Sequence, residues 1–92
     1  LKIVFASQNM VRMNGYQPEE VIGHSPKLFQ GKATCLKTAK DIGEAIRNQQ
    51  PFEKKVINYS KDGSLYNCHI KGFPIFNQHG ELINFIAFEK AA

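Results

Sequence analysis

The sequence predicts an α+β domain, a curved antiparallel sheet with helices packed on one face. Three observations carry that prediction. The helical patterns all fall in the first half of the chain, and three strand-like runs fill the second. Short turns containing "KDG" and "NQHG" separate those runs, so neighbours pair antiparallel. One stretch alone, between Thr34 and Asn48, is long and amphipathic enough to cover a sheet.

Each element follows from its residues. "KIVFA" (2–6) is β-branched and aromatic and predicts a strand. Met10, Val11 and Met13 have helical spacing, and "NGY" then turns the chain at Gly15. In "QPEEVIG", Pro18 suits a first helical turn, and Glu19 and Glu20 suit the positive end of the helix dipole. Gly23 ends that helix, and the loop "GHSPKLFQG" follows. Thr34 is positioned to cap the long helix. Cys35, Ala39, Ile42 and Ile46 fall on its inner face, while Lys37, Lys40, Glu44 and Arg47 face water. Gly43, in mid-helix, predicts close packing there. The strands are 52–60, 64–76 and 81–90, with no internal repeats.

Composition narrows the function. At 92 residues the chain is one domain, 1–92, and it starts inside a strand-like run, as a piece cut from a longer protein would. The net charge is +4, but the longest basic run is Lys54-Lys55, which points to a solvated surface rather than a nucleic-acid partner. Cys35 and Cys68 are far apart, with no CxxC, which fits a reducing, cytoplasmic setting without a disulfide framework. No apolar run approaches the ~20 residues of a membrane span. No nucleophile–base pair, paired carboxylates or phosphate loop is present, so the module is not expected to be an enzyme.

Alternation assigns the sheet faces. Tyr66, Cys68, Ile70 and Gly72 share the side toward the helices, and Asn67, His69 and Lys71 the other. In the last strand Ile83, Phe85, Ala87 and Glu89 lie on one side and Asn84, Ile86, Phe88 and Lys90 on the other. Ile86 and Phe88, with Phe73 and Ile57 or Tyr59, are expected to form an outer apolar patch covered by a flanking helix or a second subunit.

"IVFASQNMVRMNGYQPEEVIG", "LFQG", "INYSKDGSLY" and "FPIFNQHGELINFIAFEK", in this order, resemble the PAS domain. Within it they resemble the light-oxygen-voltage branch that binds flavin mononucleotide. The resemblance covers nearly the whole chain and implies five strands. "KIVFA" looks like the second of these, and the central first one is absent from the sequence given. It either precedes this segment or is supplied by a neighbour.

The flavin branch carries G-x-N-C-R-F-L-Q-G in this loop, and its cysteine attacks the excited ring. Here Pro26 stands at the cysteine, Ser25 at the asparagine and Lys27 at the phosphate-pairing arginine. Gly43 stands where a second such arginine often lies, Cys68 at a further asparagine, and Glu89 at the signalling glutamine of the last strand. Gln30 and Asn58 match two flavin hydrogen-bonding residues. The resemblance thus implies a loop that keeps its shape without the photoadduct chemistry, which argues against flavin mononucleotide as the resident cofactor. Haem is not expected either, since the long helix offers no histidine, and His24, His69 and His79 are scattered.

The function that follows is a signal-sensing and protein-interaction module of a multidomain signalling protein, of the histidine kinase or cyclic-dinucleotide enzyme type. A small ligand is expected between the long helix and the sheet, lined by Gln30, Asn58, Cys68, Ile70, Gly72, Phe85, Ala87 and Glu89. Signal passes through the last strand to a flanking helix or output domain, and a homodimer is expected. The alternatives are a ligand-free dimerisation scaffold, or flavin binding without cysteine chemistry. Cys35 and Cys68 are expected to be inert packing residues. Glu89 would be neutral in an apolar cavity unless a partner such as Lys54 reached it.

Overall fold

The computed structural model describes residues 1–92. The chain runs through α1 (Met10–Asn14), α2 (Pro18–Val21), a 3-10 turn (Pro26–Phe29) and α3 (Leu36–Arg47). Three strands follow, β1 (Phe52–Tyr59), β2 (Leu65–Phe76) and β3 (Leu82–Ala91), in one antiparallel sheet ordered β1-β2-β3. This is the predicted α+β class, and each strand begins and ends within a residue of its predicted span.

The hairpins form where the sequence placed them because their turns are satisfied locally. The Asp62 carboxylate accepts from the Ser64 N–H at 2.9 Å and the Ser64 hydroxyl at 2.7 Å. Asn77 Oδ1 accepts from the N–H groups of His79 and Glu81 at 2.9 and 3.0 Å. Short polar side chains that bond backbone a few residues ahead close a turn without help from the rest of the fold. The pairings then align Asn58 with Tyr66, Val56 with Cys68, and Gly72 with both Phe52 and Ala87.

The small helices are tied to the first hairpin. Pro18 and the acids Glu19 and Glu20 open α2 as expected. Lys61, in the β1–β2 turn, reaches Glu20 at 2.6 Å, and its N–H donates to the Asn14 carbonyl at 2.8 Å. Buried apolar residues are few: Val21, Phe29, Val56 and Cys68, with the Phe29 ring edge-on to Tyr16 at 5.4 Å.

Four expectations are corrected. Residues 2–6 form no strand: Ile3 exchanges two backbone hydrogen bonds with Gly23 and His24, and Val4 and Phe5 are exposed. A β-favouring composition needs a ladder beside it, and none of the three strands lies alongside. Thr34 does not cap α3; the cap position falls on Cys35, without a side-chain bond. Thr34 is instead a buried rivet, donating to the Ile57 carbonyl at 2.7 Å and accepting from the Gly31 N–H at 3.0 Å. Cys35 therefore lies exposed at the helix start rather than on its packing face. Gly43 is not a close-packing point either, since a Cβ there would meet only the Arg47 guanidinium, at 3.4 Å.

Helix α3 otherwise keeps its predicted faces. Ala39, Ile42 and Ile46 are half-buried, and Lys37, Lys40, Glu44 and Arg47 are exposed. None of its residues is fully buried. α3 thus lies over the sheet's inner face without closing on it, and the region between helix and sheet is the trough.

Candidate functional site

The floor of the trough carries an unusual set of side chains. Asn58 on β1, Tyr66 and Cys68 on β2 and Glu89 on β3 point the same way, toward α3, because opposed residues of antiparallel strands share a face. The Cys68 thiol donates to Glu89 Oε1 at 3.3 Å. Asn58, 5% exposed, lies against the Cys68 thiol and the Tyr66 hydroxyl. The Tyr66 hydroxyl accepts from Asn14 Nδ2 at 3.2 Å, which extends the polar row from β3 across the sheet to α1.

Burial sets the protonation of this row. It pushes the Cys68 thiol up to about 12, with the Glu89 charge and hydrogen bond adding to the effect, so the thiol stays neutral and acts as a donor. Burial raises the Glu89 carboxyl above the ordinary carboxylate range, and the thiol bond only partly opposes it. Burial also raises Tyr66, against the bond from Asn14. Lys54 shares the inner face but does not reach Glu89; it pairs with Asp41 of α3 at 3.5 Å.

The eight predicted pocket residues divide into two groups. Asn58, Cys68 and Glu89 come together in the polar row, and Ile70 lies directly opposite Glu89 in the register. Gln30 is half-buried at the end of the 3-10 turn. At the other end of the trough the Phe52 ring covers Gly72 so closely that a Cβ at Gly72 would collide with it, and Phe52 stacks on Phe85 at 6.3 Å. Gly72 is thus roofed by protein rather than open to a ligand, while Ala87, opposite it, is exposed. Tyr66, expected on this face, joins the site, as do Phe52 and Asn14, which were not expected there. The alternation of β1 (Phe52, Lys54, Val56, Asn58) is the signal that would have placed Phe52 inward, whereas nothing local marks Asn14 as more than a turn residue.

The outer face of the sheet is the reverse. Phe73, Ile75, Ile86 and Phe88 are 43%, 38%, 42% and 58% exposed and adjoin one another, with Phe73 edge-on to Phe88 at 6.2 Å. Ile57 and Tyr59 do not belong to this patch. Ile57 sits opposite Asn67, beyond the polar rows of Lys71 and His69, and His69 is bound to Glu53 at 2.6 Å. Tyr59 wraps over the β1 edge, its hydroxyl accepting from the Ala33 N–H at 2.9 Å and its ring resting on Gly31. A groove of about 490 Å³ between residues 12–15 and 60–62 touches the row only at Asn14, and one of about 260 Å³ beside Phe52 and Phe73 lies away from it. No three side chains of metal-ligating type come together, and no helix is long and apolar enough to cross a membrane.

The chain belongs to the PAS domain family, whose sequence model matches residues 1–90. It is 39% identical over 88 residues to Protein TWIN LOV 1 of Arabidopsis thaliana, covering 95% of this chain and 22% of that protein. It is 31% identical over 87 residues to Phototropin-2 of Oryza sativa subsp. japonica, covering 95% of this chain and 10% of the relative. A blue-light-activated histidine kinase of Brucella abortus is 31% identical over 85 residues, covering 92% of this chain and 17% of the kinase. The chain therefore spans only a small part of these relatives. Among solved structures, a light-oxygen-voltage domain studied with a flavin analogue superposes with a TM-score of 0.95 at 24% identity, over 99% of this chain and 67% of that one. The light state of the Aureochrome1 light-oxygen-voltage domain also gives 0.95, at 21% identity, over 99% and 71%. The light-oxygen-voltage branch is thus where this PAS domain's similarities lie.

Proposed function

We propose that the chain is the sensory module of a longer signalling protein and that its trough holds a planar heteroaromatic ligand of the flavin class without a covalent bond. The observation that carries this reading is the polar row of Asn58, Cys68 and Glu89 on the inner face of a domain otherwise similar to flavin-associated photoreceptor domains. Buried polar groups are costly unless paired, and a few convergent ones in an apolar trough orient a ligand.

The residues fit such a ring. The Asn58 amide offers a donor and an acceptor to the donor–acceptor edge of an isoalloxazine, and Gln30 and Glu89 add polar contacts at the trough's margins. Ile42, Ile46, Ile70 and Phe85 supply apolar surface for its faces. Two cations are available for a phosphate: Lys27 on the 3-10 turn, and Arg47, whose guanidinium folds back one turn to lie over Gly43. When bound, a flavin would supply blue-light absorption. Pro26 provides no thiol for an adduct, so the response would rest on hydrogen bonding. A change at Glu89 would shift β3, whose outer residues Ile86 and Phe88 meet a flanking helix or an output domain such as a kinase; the module itself catalyses nothing. Such relay requires differential ligand affinity for two states. A cytoplasmic setting suits this role.

A second reading, a ligand-free dimerisation scaffold, is favoured by the exposed patch of Phe73, Ile75, Ile86 and Phe88.

The deciding experiment is the absorption spectrum of the freshly purified protein, with mass spectrometry of whatever a denaturant releases, followed by titration with flavin mononucleotide and riboflavin. A flavin band, or binding of either flavin, supports the sensor reading. Arg47→Ala should then weaken the mononucleotide and leave riboflavin unchanged. A clean protein spectrum with no binding of either flavin would overturn the flavin assignment and favour the scaffold.

A further inference from the structure

Strand β1 covers a glycine with an aromatic ring at each of its ends. At its last residue the Tyr59 ring rests on Gly31, and the Tyr59 hydroxyl accepts from the Ala33 N–H at 2.9 Å, so this ring is pinned by its face and by its tip. At its first residue the Phe52 ring lies over Gly72, where two of its atoms would collide with a Cβ. Phe52 has no polar atom to pin it. It packs on Gly72 and meets the Phe85 ring at 6.3 Å with 30° between the planes. The ring is half-buried, and the residues that lead to it, 48–51, are exposed. Strand ends open more readily than strand middles, so Phe52 is the movable ring of the pair.

The seat beneath it suits a flat group. Gly72 of β2 stands opposite Ala87 of β3, and these two small residues form a notch in the trough floor. The row of Ile70 and Glu89 bounds the notch on one side, and the row of Pro74 and Phe85 bounds it on the other. Gly72 is buried and Ala87 exposed, so the Phe52 ring fills the β2 half and leaves the β3 half open. A glycine inside a strand commonly marks the close approach of another group. Glu89 and Ala87 are two residues apart, about 7 Å along the strand. A fused-ring ligand anchored on the polar row and running along the floor therefore arrives at this notch and meets Phe52.

We infer that Phe52 is the specificity-determining residue of the trough, a plug that occupies the seat of the ligand's distal ring. The inference rests on the proposed ligand reading and adds to it what limits ligand length. With the plug seated, the trough takes a ligand that ends beside Ile70 and Glu89. A three-ring ligand lies flat only after Phe52 swings aside and frees the face of Phe85. Its apparent affinity is reduced by the fraction of molecules in which the ring has left the seat. Truncating Phe52 removes that penalty and should tighten binding, whereas removing an ordinary contact residue weakens it.

The test compares two probes that differ by one ring, riboflavin and the two-ring 6,7-dimethyl-8-ribityllumazine. Each is titrated by fluorescence into the full chain as wild type, Phe52→Ala and Phe52→Leu. The expected result is riboflavin binding about tenfold or more tighter in Phe52→Ala than in wild type, with lumazine binding unchanged and Phe52→Leu intermediate. Riboflavin binding that is unchanged or weaker in Phe52→Ala, or an equal gain for both probes, would overturn the inference and leave flavin binding intact. If circular dichroism shows Phe52→Ala unfolded, Phe52→Leu is read by the same criteria. If neither probe binds any variant, the ligand reading falls, and indole then tests the seat alone. Indole that raises the thermal midpoint of the truncated variant and not that of wild type upholds the plug; equal midpoint shifts, or none, overturn it.

Discussion

Each face of the sheet carries a local exception to the ordinary half-buried antiparallel pattern, which puts apolar residues toward the core and polar residues toward water. Here the inner face carries Asn58, Tyr66, Cys68 and Glu89 in one row, and the outer face carries Phe73, Ile75, Ile86 and Phe88 in one patch. The exposed patch costs free energy in an isolated domain, whereas no buried polar atom of the row lacks a partner within the protein. On the proposed reading a ligand would add to the polar row and an apolar partner would cover the patch. β3 carries residues of both kinds on alternate positions, which makes it the element through which one face could report on the other.

The comparison breaks most sharply at Gly72. Replacing it with Leu drives a side chain into the Phe52 ring and the Phe52–Phe85 stack, so thermal or denaturant unfolding should show a loss of about 1–3 kcal/mol or more. This differs from the effect expected if the position lined an empty pocket, where added volume would be tolerated. An unchanged midpoint would mean that the trough is open at this end.

Glu89→Gln tests the polar end through pH. Burial raises the folded-state pKa of Glu89, so folding favours its neutral form. Its contribution to stability is greatest below the ordinary carboxylate pKa and declines as pH rises through the raised value. The glutamine variant should lack this decline and be more stable than wild type on the alkaline side; parallel stability–pH curves would show that Glu89 titrates normally.

The outer face should behave oppositely. Ile86→Asp removes an exposed apolar group, so unfolding of the monomer should move by no more than about 0.5 kcal/mol. Sedimentation should show loss of self-association if the patch joins two copies. A large stability loss would instead reveal that Ile86 packs within the monomer.

The least disruptive test uses the two cysteines. Cys35 is exposed, and hydrogen bonds from the Thr38 backbone and hydroxyl, with a backbone bond from Lys37, lower its pKa. Cys68 is buried and held up to about 12. A thiol reagent applied to the native protein near neutral pH should label Cys35 and spare Cys68, while Cys35→Ser leaves stability unchanged. Labelling of Cys68 at a similar rate would show that the trough floor opens to solvent.

The strands, their turns, the faces of α3 and the inward set of β2 were legible in the sequence because each depends on neighbours close along the chain: an Asx side chain two residues from its donor, or alternation with period two. The polar row and the outer patch could be read from that same alternation once the register was assumed. Elsewhere the same local logic failed. Thr34 has the composition of a helix cap, yet its hydroxyl is claimed by the Ile57 carbonyl across the fold. Residues 2–6 have strand composition but no strand beside them. Lys54 was a plausible partner for Glu89 until Asp41 came within reach from α3. Phe52 fills the space above Gly72 that the sequence left open for a ligand.

By itself, then, the sequence determined the element order, the antiparallel pairing and which side chains share a face, all consequences of backbone periodicity and turn chemistry. Only the tertiary structure decided which polar groups meet, because a hydrogen bond or a steric contact between residues distant in the chain depends on ångström-scale placement that no periodicity encodes. The isolation of Glu89 beside the Cys68 thiol belongs to that second kind.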